Sequence, residues 1–168
     1  MFKKRYVSSV LTLTFLSQLF LFTACSSKVK YRDDIPCHDI CEAFIQSQNS
    51  SDGYSYYTEE EISFFLELPE YVSDFSVAYS TDVNDIDEMG IFHCTDEKSA
   101  EEFLGAVSAY IKEQQATQKA FIESYAPREI PKLEGAEAHR YGNYVVYTIL
   151  SAEDKKAVRE LTDKKIRG

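Results

Sequence analysis

The sequence has few of the residues that mark fibrous or disordered proteins. Six glycines and four prolines among 168 residues are too few for a fibrous chain, and 44% hydrophobic residues are too many for a disordered one. Basic residues are also scarce, with 18 Lys and Arg against 28 Asp and Glu, for a formal net charge of −10. Because phosphate binding needs a clustered basic face, this acidity argues against nucleic acid as a partner. The length indicates one folded domain.

Catalytic motifs are also missing from the sequence. It contains no glycine-rich phosphate loop and no nucleophile elbow. The three histidines, His38, His93 and His139, lie far apart in the chain, and no second pair of residues has the spacing of zinc ligands. We therefore assign no catalytic residue, no metal ligand and no cofactor other than a covalent lipid, and we expect a protein that is not an enzyme.

The N-terminal segment has the pattern of a secretory signal. Basic residues at Lys3–Arg5 precede an apolar run over residues 10–22, and the chain becomes polar directly after Cys25. A basic start, an apolar middle and small residues before a cleavage point are typical of signal peptides. This pattern predicts a signal peptide over residues 1–24.

The end of this segment resembles the lipobox of bacterial lipoproteins. Thr23 and Ala24 occupy the small positions and Cys25 the lipidated position, whereas Phe22 stands where the lipobox usually has leucine. We expect cleavage between Ala24 and Cys25 and a lipid on Cys25 that holds the protein at the outer face of the cytoplasmic membrane. The alternative is an uncleaved signal anchor, since about 20 residues span a bilayer.

The predicted mature chain consists of a tether and one domain. Cys25 and the polar residues up to residue 35 form a flexible tether, and the ten residues after Cys25 reach about 17–19 Å. Residues 36–168 form a single extracytoplasmic domain. Loss of residues 1–24 removes three basic residues and no acid, so the formal net charge falls by three from −10. This acidity repels anionic headgroups, and membrane residence therefore depends on the acyl chains.

Three cysteines remain if Cys25 is lipidated, and an odd number does not make a disulfide framework. Cys37 and Cys41 fall on the apolar stripe of a helix predicted over residues 36–46, which favours packing in the core over metal binding. A disulfide between Cys94 and one of these two residues is the alternative, because the predicted compartment permits it.

An acidic loop, residues 81–88, separates two predicted strands at residues 75–79 and 89–94. Asp82 and Asn84 fit the first positions of a calcium-binding loop, but position five, which needs an oxygen ligand, is Ile86. We interpret the segment as a solvated hairpin loop.

A short helix is predicted to begin at Thr58 and to end before Pro69. Thr58 and Glu61 have the spacing of a capping box, so the acidic run Glu59–Glu61 has a structural explanation at a helix N-terminus. The tyrosines just before it are the best candidates for a recognition surface, with partial burial as the alternative: Tyr54, Tyr56 and Tyr57.

The longest predicted element is a helix over residues 97–125, where apolar residues keep a period of 3.6. Asp96 or Thr95 caps it, and its more polar second half is either half exposed or covered by the returning loop 126–135. Gly142 and Asn143 then form a two-residue hairpin turn before a last helix. The predicted fold is α+β: a mostly antiparallel sheet of two hairpins, with the long helix crossing it and shorter helices packed on the same face.

Three short motifs resemble a family of small lipoproteins of Gram-positive, mainly clostridial, bacteria, known as domain-of-unknown-function family 4358. They are Asp87-Glu88-Met89-Gly90-Ile91-Phe92, Ser124-Tyr125-Ala126-Pro127-Arg128-Glu129 and Gly142-Asn143-Tyr144-Val145. The resemblance extends from about residue 36 to the C-terminus. It implies a lipoprotein with a small extracytoplasmic domain, and it brings no catalytic residues.

Two functions are consistent with these observations. The first is a non-enzymatic binding or interaction module, held to membrane lipid by its acylated N-terminus, whose partner is a protein, a peptide or a cell-wall ligand. The second is a surface-attached enzyme or redox protein that uses a thiol of Cys37, Cys41 or Cys94. A reactive thiolate needs an electropositive and accessible setting, which the acidity of the chain disfavours.

Overall fold

The computed structural model describes residues 29–48 and 53–167. The predicted signal peptide, the cleavage position at Ala24 and the lipid attachment at Cys25 lie outside these residues. Within the described part, no helix combines the length and the apolar character that crossing a membrane requires.

Five strands form one sheet in the spatial order β1-β2-β3-β5-β4, and all neighbouring strands are antiparallel. The two predicted hairpins, β2-β3 and β4-β5, are confirmed, and β1 adds an edge strand that the sequence did not predict. The strands are β1 (Tyr54–Tyr56), β2 (Val72–Ser80), β3 (Glu88–Cys94), β4 (Glu137–Tyr141) and β5 (Tyr144–Ile149).

Strand β5, which lies inside the sheet between β3 and β4, is buried along its whole length, as its β-branched and aromatic composition predicts. The two-residue turn before it is confirmed, since Tyr141 and Tyr144 pair directly across it. Gly142 has a φ of +59°, the left-handed conformation that glycine adopts without steric cost. The turn therefore sets the register of β4 against β5.

Five α-helices cover the sheet: α1 (Cys37–Ser47), α2 (Glu59–Ile62), α3 (Glu97–Tyr125), α4 (Ile130–Glu134) and α5 (Ala152–Ile166). The predicted caps are confirmed. Thr58 and Glu61 form a reciprocal capping box, the Asp96 carboxylate accepts from the backbone N–H of Ser99, and the Ser151 hydroxyl accepts from that of Asp154.

The α+β class and the antiparallel sheet are confirmed, but the prediction that all helices lie on one face is wrong. Helices α1 and α5 pack on one face of the sheet, around Ala78, Met89 and Val146. Helix α3 packs on the other face, with Ile62 of α2, against Phe92 and Tyr147. The reason is that β3 and β5 are apolar on both sides, so each face of the sheet needs a cover.

The start of the domain and the start of β3 lie at opposite ends of the sheet. Tyr31 forms a β-bridge with Arg167 and lies against Gly142, beside the β4-β5 turn. The backbone N–H of Cys94, the last residue of β3, donates to the carbonyl of Asn143 in the same turn. Glu88 begins β3 six residues earlier, about 20 Å away along an extended strand. We call the end at Gly142 the tether end and the end at Glu88 the cavity end.

A candidate ligand cavity at one end of the sheet

A cavity of about 230 Å³ opens at the cavity end, between the β2-β3 loop and the second half of α3. The predicted return of the loop 126–135 over α3 is confirmed and closes one side: the side-chain amide of Gln115 donates to the carbonyl of Leu133 in α4. The lining residues are Tyr57, Tyr79, Ser80, Asp85, Ile86, Asp87, Glu88, Tyr110, Gln114, Gln118, Phe121, Ile122, Leu133 and Ile149.

Glu88 brings a carboxylate to the floor of this cavity. Its Oε1 accepts two hydrogen bonds, from the Tyr110 hydroxyl at 2.8 Å and from the Tyr147 hydroxyl at 2.7 Å. Burial raises the pKa of Glu88, although its hydrogen bonds from tyrosine oppose the shift. Burial and the nearby Glu88 carboxylate in turn raise the pKa values of Tyr110 and Tyr147. The two tyrosine hydroxyls therefore stay protonated and donate their hydrogen bonds to Glu88.

Aromatic rings form one wall of the cavity. The rings of Tyr57 and Tyr79 stack with centroids 4.2 Å apart, and Phe65 bridges Tyr57 to Tyr110 with centroids 5.3 and 5.2 Å away. Burial raises the pKa of Tyr57 to about 12, so its hydroxyl is neutral at physiological pH. The wall is thus an uncharged aromatic surface built from rings that pack against one another.

Beside the cavity, three carboxylates surround the ammonium of Lys132. Its Nζ lies 2.6 Å from oxygens of Asp85, Asp87 and Glu129, and only 19% of the Lys132 side chain is exposed. The Tyr54 hydroxyl also donates to Asp87. These three carboxylates form a group with the spacing of metal ligands, but their common centre is filled by the lysine. We call this arrangement the Lys132 cage.

The cage shifts the pKa values of its charged groups in different directions. Burial opposes ionisation of Asp85, but the hydrogen bond and the charge of Lys132, together with hydrogen bonds from the Asp87 backbone and Ser80, outweigh it and lower the pKa of Asp85. Burial, helped by the neighbouring Asp85 charge, raises the pKa of the deeper Asp87. The carboxylates raise the pKa of Lys132, which stays protonated. The cage therefore holds a permanent positive charge within an excess of acidic groups.

The β2-β3 loop has the predicted solvated character only in its first part, residues 81–84, because Asp85 and Asp87 are half-buried or buried beside Lys132. The backbone N–H of Asn84 donates to the carboxylate of Asp82, and both residues are exposed. Asp82 and Asn84 thus make a local turn, while Asp85 and Asp87 at the end of the loop face Lys132. Sequence reasoning missed the cage because Lys132 lies 47 residues from Asp85.

The three described cysteines are free thiols in buried positions. The Cys37 and Cys41 side chains contact β2 on the face covered by α1, whereas Cys94 belongs to the cluster on the opposite face. Burial raises the pKa of Cys37, that of Cys41 to about 12 and that of Cys94 to about 11. None of the three is among the residues that line the cavity.

The histidines are dispersed over three elements. His38 lies in α1 with its ring 4.8 Å from that of Tyr56, His93 lies in β3 with Nδ1 2.8 Å from the Ser73 hydroxyl, and His139 lies in β4. In the described ranges, the Lys132 cage holds the only group of three or more potential metal ligands close together.

Of the tyrosines suggested as a recognition surface, the structure places one in the cavity. Tyr57 lines it. Tyr54 and Tyr56 are half-buried in β1, where their hydroxyls donate to Asp87 and Glu42. Glu88, Tyr79 and Tyr110 were not predicted as site residues. In the sequence there was a signal only for Glu88, which is an acid at the start of an apolar strand, and none for the two tyrosines.

The fold and the site together define an α+β domain with a five-stranded antiparallel sheet, helices on both faces and an acidic, tyrosine-lined cavity at one end. Comparison with known families matches residues 55–150 to a domain of unknown function, DUF4358. The match covers more than half of the chain, which therefore belongs to this family, and it confirms the resemblance seen in the sequence motifs. No curated protein and no solved structure matches the chain.

Proposed function

We propose that this protein is a lipid-anchored extracytoplasmic binding module, without enzymatic activity, and that the tyrosine-lined cavity is its ligand site. The observation that carries the proposal is the cavity itself: about 230 Å³ at the end of a rigid sheet, with an apolar and aromatic lining around a few polar groups. Concave sites of this composition are the usual place for small ligands or for one side chain of a larger partner.

The groups at the cavity favour binding over catalysis. The carboxylate of Glu88 is held by two tyrosine hydroxyls, and those of Asp85 and Asp87 are held by Lys132. Groups fixed in this way are pre-organised to contact a ligand. The thiols proposed for the alternative function, a thiol-dependent enzyme, are buried away from the cavity, and their raised pKa values leave little thiolate at neutral pH.

The position of the cavity fits a protein held by its N-terminus. The chain enters the domain at the tether end, where Tyr31 lies beside Gly142. A lipid on Cys25 would hold this end near the membrane and direct the cavity end outward. The membrane lipid would then be a partner only through the acylated N-terminus. The ligand in the cavity would come from the cell-wall side, as a peptide, a protein side chain or a cell-wall fragment.

Retention of a compound from the natural surroundings tests the binding function. The full-length protein is immobilised, exposed to a cell-wall digest of its own host and unfolded, and the released compounds are identified by mass spectrometry. Gln118→Trp narrows the cavity from an exposed position on α3, and Ala109→Trp makes a similar change on an exposed part of α3 outside the lining.

We expect a compound that wild type and Ala109→Trp retain alike and that Gln118→Trp retains about tenfold less, a loss of roughly 1.4 kcal/mol. Equal retention by all three proteins, or none by wild type, would show that the cavity is not a ligand site.

Replacement of Cys25 with Ala tests the anchor. We expect wild type in the membrane fraction with the added mass of acyl chains, and the variant released from the membrane or kept as an unprocessed precursor. An unchanged membrane fraction together with an intact Met1 and no acyl mass in wild type would support the uncleaved signal anchor instead.

A further inference from the structure

We infer that the ligand presents a positively charged organic group, an ammonium or a guanidinium, to the cavity. This inference rests on the proposed function, because it names the chemical class that the same cavity would take. Three features carry it: the sign of the charge around the cavity, the hydrogen-bonding character of its polar groups and the aromatic wall.

The charge around the cavity is negative. The described residues that line it include three carboxylates, from Asp85, Asp87 and Glu88, and no Lys, Arg or His. Glu129 adds a fourth carboxylate at the Lys132 cage, and Lys132 supplies the single ammonium that opposes them. A concave, poorly solvated site lined with one sign of charge concentrates counter-ions of the other sign and repels like charges. An anion would therefore be disfavoured, and a cation would be attracted.

The Glu88 carboxylate at the floor offers only hydrogen-bond acceptors, whereas Ser80, Gln114 and Gln118 elsewhere in the lining can also donate. The hydroxyls of Tyr110 and Tyr147 already donate to Glu88, which leaves carboxylate and phenol oxygens as the free hydrogen-bonding capacity there. An ammonium or guanidinium offers only donors and so complements them, whereas a carboxylate or phosphate would face acceptors.

The aromatic wall distinguishes an organic cation from a metal ion. Tyr57 and Tyr79 line the cavity as a stacked pair, and an aromatic ring attracts a cation that is placed over its face. Apolar side chains complete the lining: Ile86, Phe121, Ile122, Leu133 and Ile149. Calcium and magnesium need six or more oxygen ligands and gain nothing from such a wall.

The Lys132 cage is an example, within this protein, of an ammonium group bound by carboxylates. A primary alkylammonium lies there 2.6 Å from each of three carboxylates, two of which also line the cavity. The acids at this end of the sheet therefore already hold an organic cation by ion pairs, and Asp85, Asp87 and Glu88 all line the cavity.

Three probes of equal shape and different charge test this inference: phenethylamine, 2-phenylethanol and 3-phenylpropionate. The full chain is prepared in detergent micelles with ¹³C-labelled tyrosine, and the ring signals of Tyr57, Tyr79 and Tyr110 are followed by NMR at about pH 8, where phenethylamine is protonated and 3-phenylpropionate is ionised. We expect phenethylamine to shift these signals with a dissociation constant of about 1 mM, as its size allows, and the other two probes to bind about tenfold more weakly.

Glu88→Gln keeps an oxygen that accepts from the two tyrosines but removes the charge. We expect it to weaken phenethylamine binding about fivefold and to leave 2-phenylethanol unchanged. Glu60→Gln is the matched control, because it makes the same change of charge at an exposed position of α2 outside the cavity. It should leave the binding of all three probes as in wild type.

The outcomes separate the two proposals. Equal or tighter binding of 3-phenylpropionate at the cavity tyrosines would overturn the cationic ligand but leave the ligand site in place. Displacement of phenethylamine by about 1 mM Ca²⁺ would replace the organic cation with a metal. No shift of these tyrosines by any probe up to about 10 mM would contradict the ligand site as well.

Discussion

The hydrophobic cores on the two faces of the sheet differ in amino-acid composition. On the face covered by α1 and α5, the core consists mainly of aliphatic and small residues, such as Ile40, Cys41 and Met89. On the face covered by α3, the core is aromatic, with Phe92, Phe103 and other rings in mutual contact. Glu88 and the cavity lie on this aromatic face.

The difference shows how a fold can tolerate a buried charge. A carboxylate without hydrogen bonds in an aliphatic core costs several kcal/mol, because nothing there replaces its hydration. Tyrosines offer an apolar body for packing and a hydroxyl for donation, so a tyrosine-rich face can accommodate Glu88. The α1 face therefore serves stability, and the α3 face combines stability with a candidate site.

The largest expected losses of stability come from replacing one large aromatic side chain on each face with alanine. Phe44 and Phe103 are both fully buried, and replacing either with Ala should destabilise the protein by about 3–5 kcal/mol, measured by urea unfolding. Phe121→Ala is the control, because this ring is 59% exposed at the rim of the cavity and should change stability by less than about 0.5 kcal/mol. A small effect of Phe103→Ala alone would mean that the aromatic face is loosely packed.

A smaller loss of stability is expected from adding one methyl group at Gly90, beneath the ring of Tyr147. A Cβ at Gly90 would lie 2.1 Å from a ring carbon of Tyr147, which is fully buried and bonded to Glu88 and so cannot move aside freely. Gly90→Ala should destabilise by about 2–3 kcal/mol and disturb the ring signal of Tyr147.

Gly105→Ala is the matched control for this change. It lies on an exposed part of α3 with open space around its Cβ position, and it should stabilise the protein by up to about 1 kcal/mol. Equal stability of wild type and Gly90→Ala would show that Tyr147 can leave its place on the aromatic face.

Local features of the fold were predictable from the sequence, and the site was not. The bounds of α3, the caps at Thr58 and Asp96 and the turn at Gly142 each depend on residues a few positions apart. Two other features depend on contacts between elements that are distant in sequence. These are the covering of both sheet faces by helices and the pairing of the edge strand β1. The contact of Tyr147 with Glu88 spans 59 residues, and no local pattern encodes it. An acid in a strand is therefore unremarkable until the fold shows what surrounds it.

The pH dependence of stability tests whether Glu88 is a charge within the aromatic face. Burial raises the pKa of Glu88 above its ordinary value of 4.5, so the folded protein binds a proton more tightly than the unfolded chain. Stability should then fall as the pH rises from about 4.5 through the folded pKa, with a slope of up to about 1.4 kcal/mol per pH unit from this group.

Glu88→Gln should remove this decline and unfold at higher urea than wild type at neutral pH, whereas Glu60→Gln, at an exposed position, should keep it. Parallel stability curves for wild type and Glu88→Gln over this range would mean that the Glu88 carboxylate is stabilised as well in the fold as in water.

The smallest expected effect is a difference in thiol reactivity between the two faces. Burial and the nearby Asp96 raise the pKa of Cys94 to about 11, while burial raises that of Cys41 to about 12 and that of Cys37 further. Since the thiolate is the reacting species, iodoacetamide at neutral pH should label Cys94 faster than Cys41, and all three far more slowly than in urea. If one native thiol reacts at the rate of an unfolded cysteine, its face opens to solvent, and the alternative of a thiol-dependent enzyme gains support over the binding module.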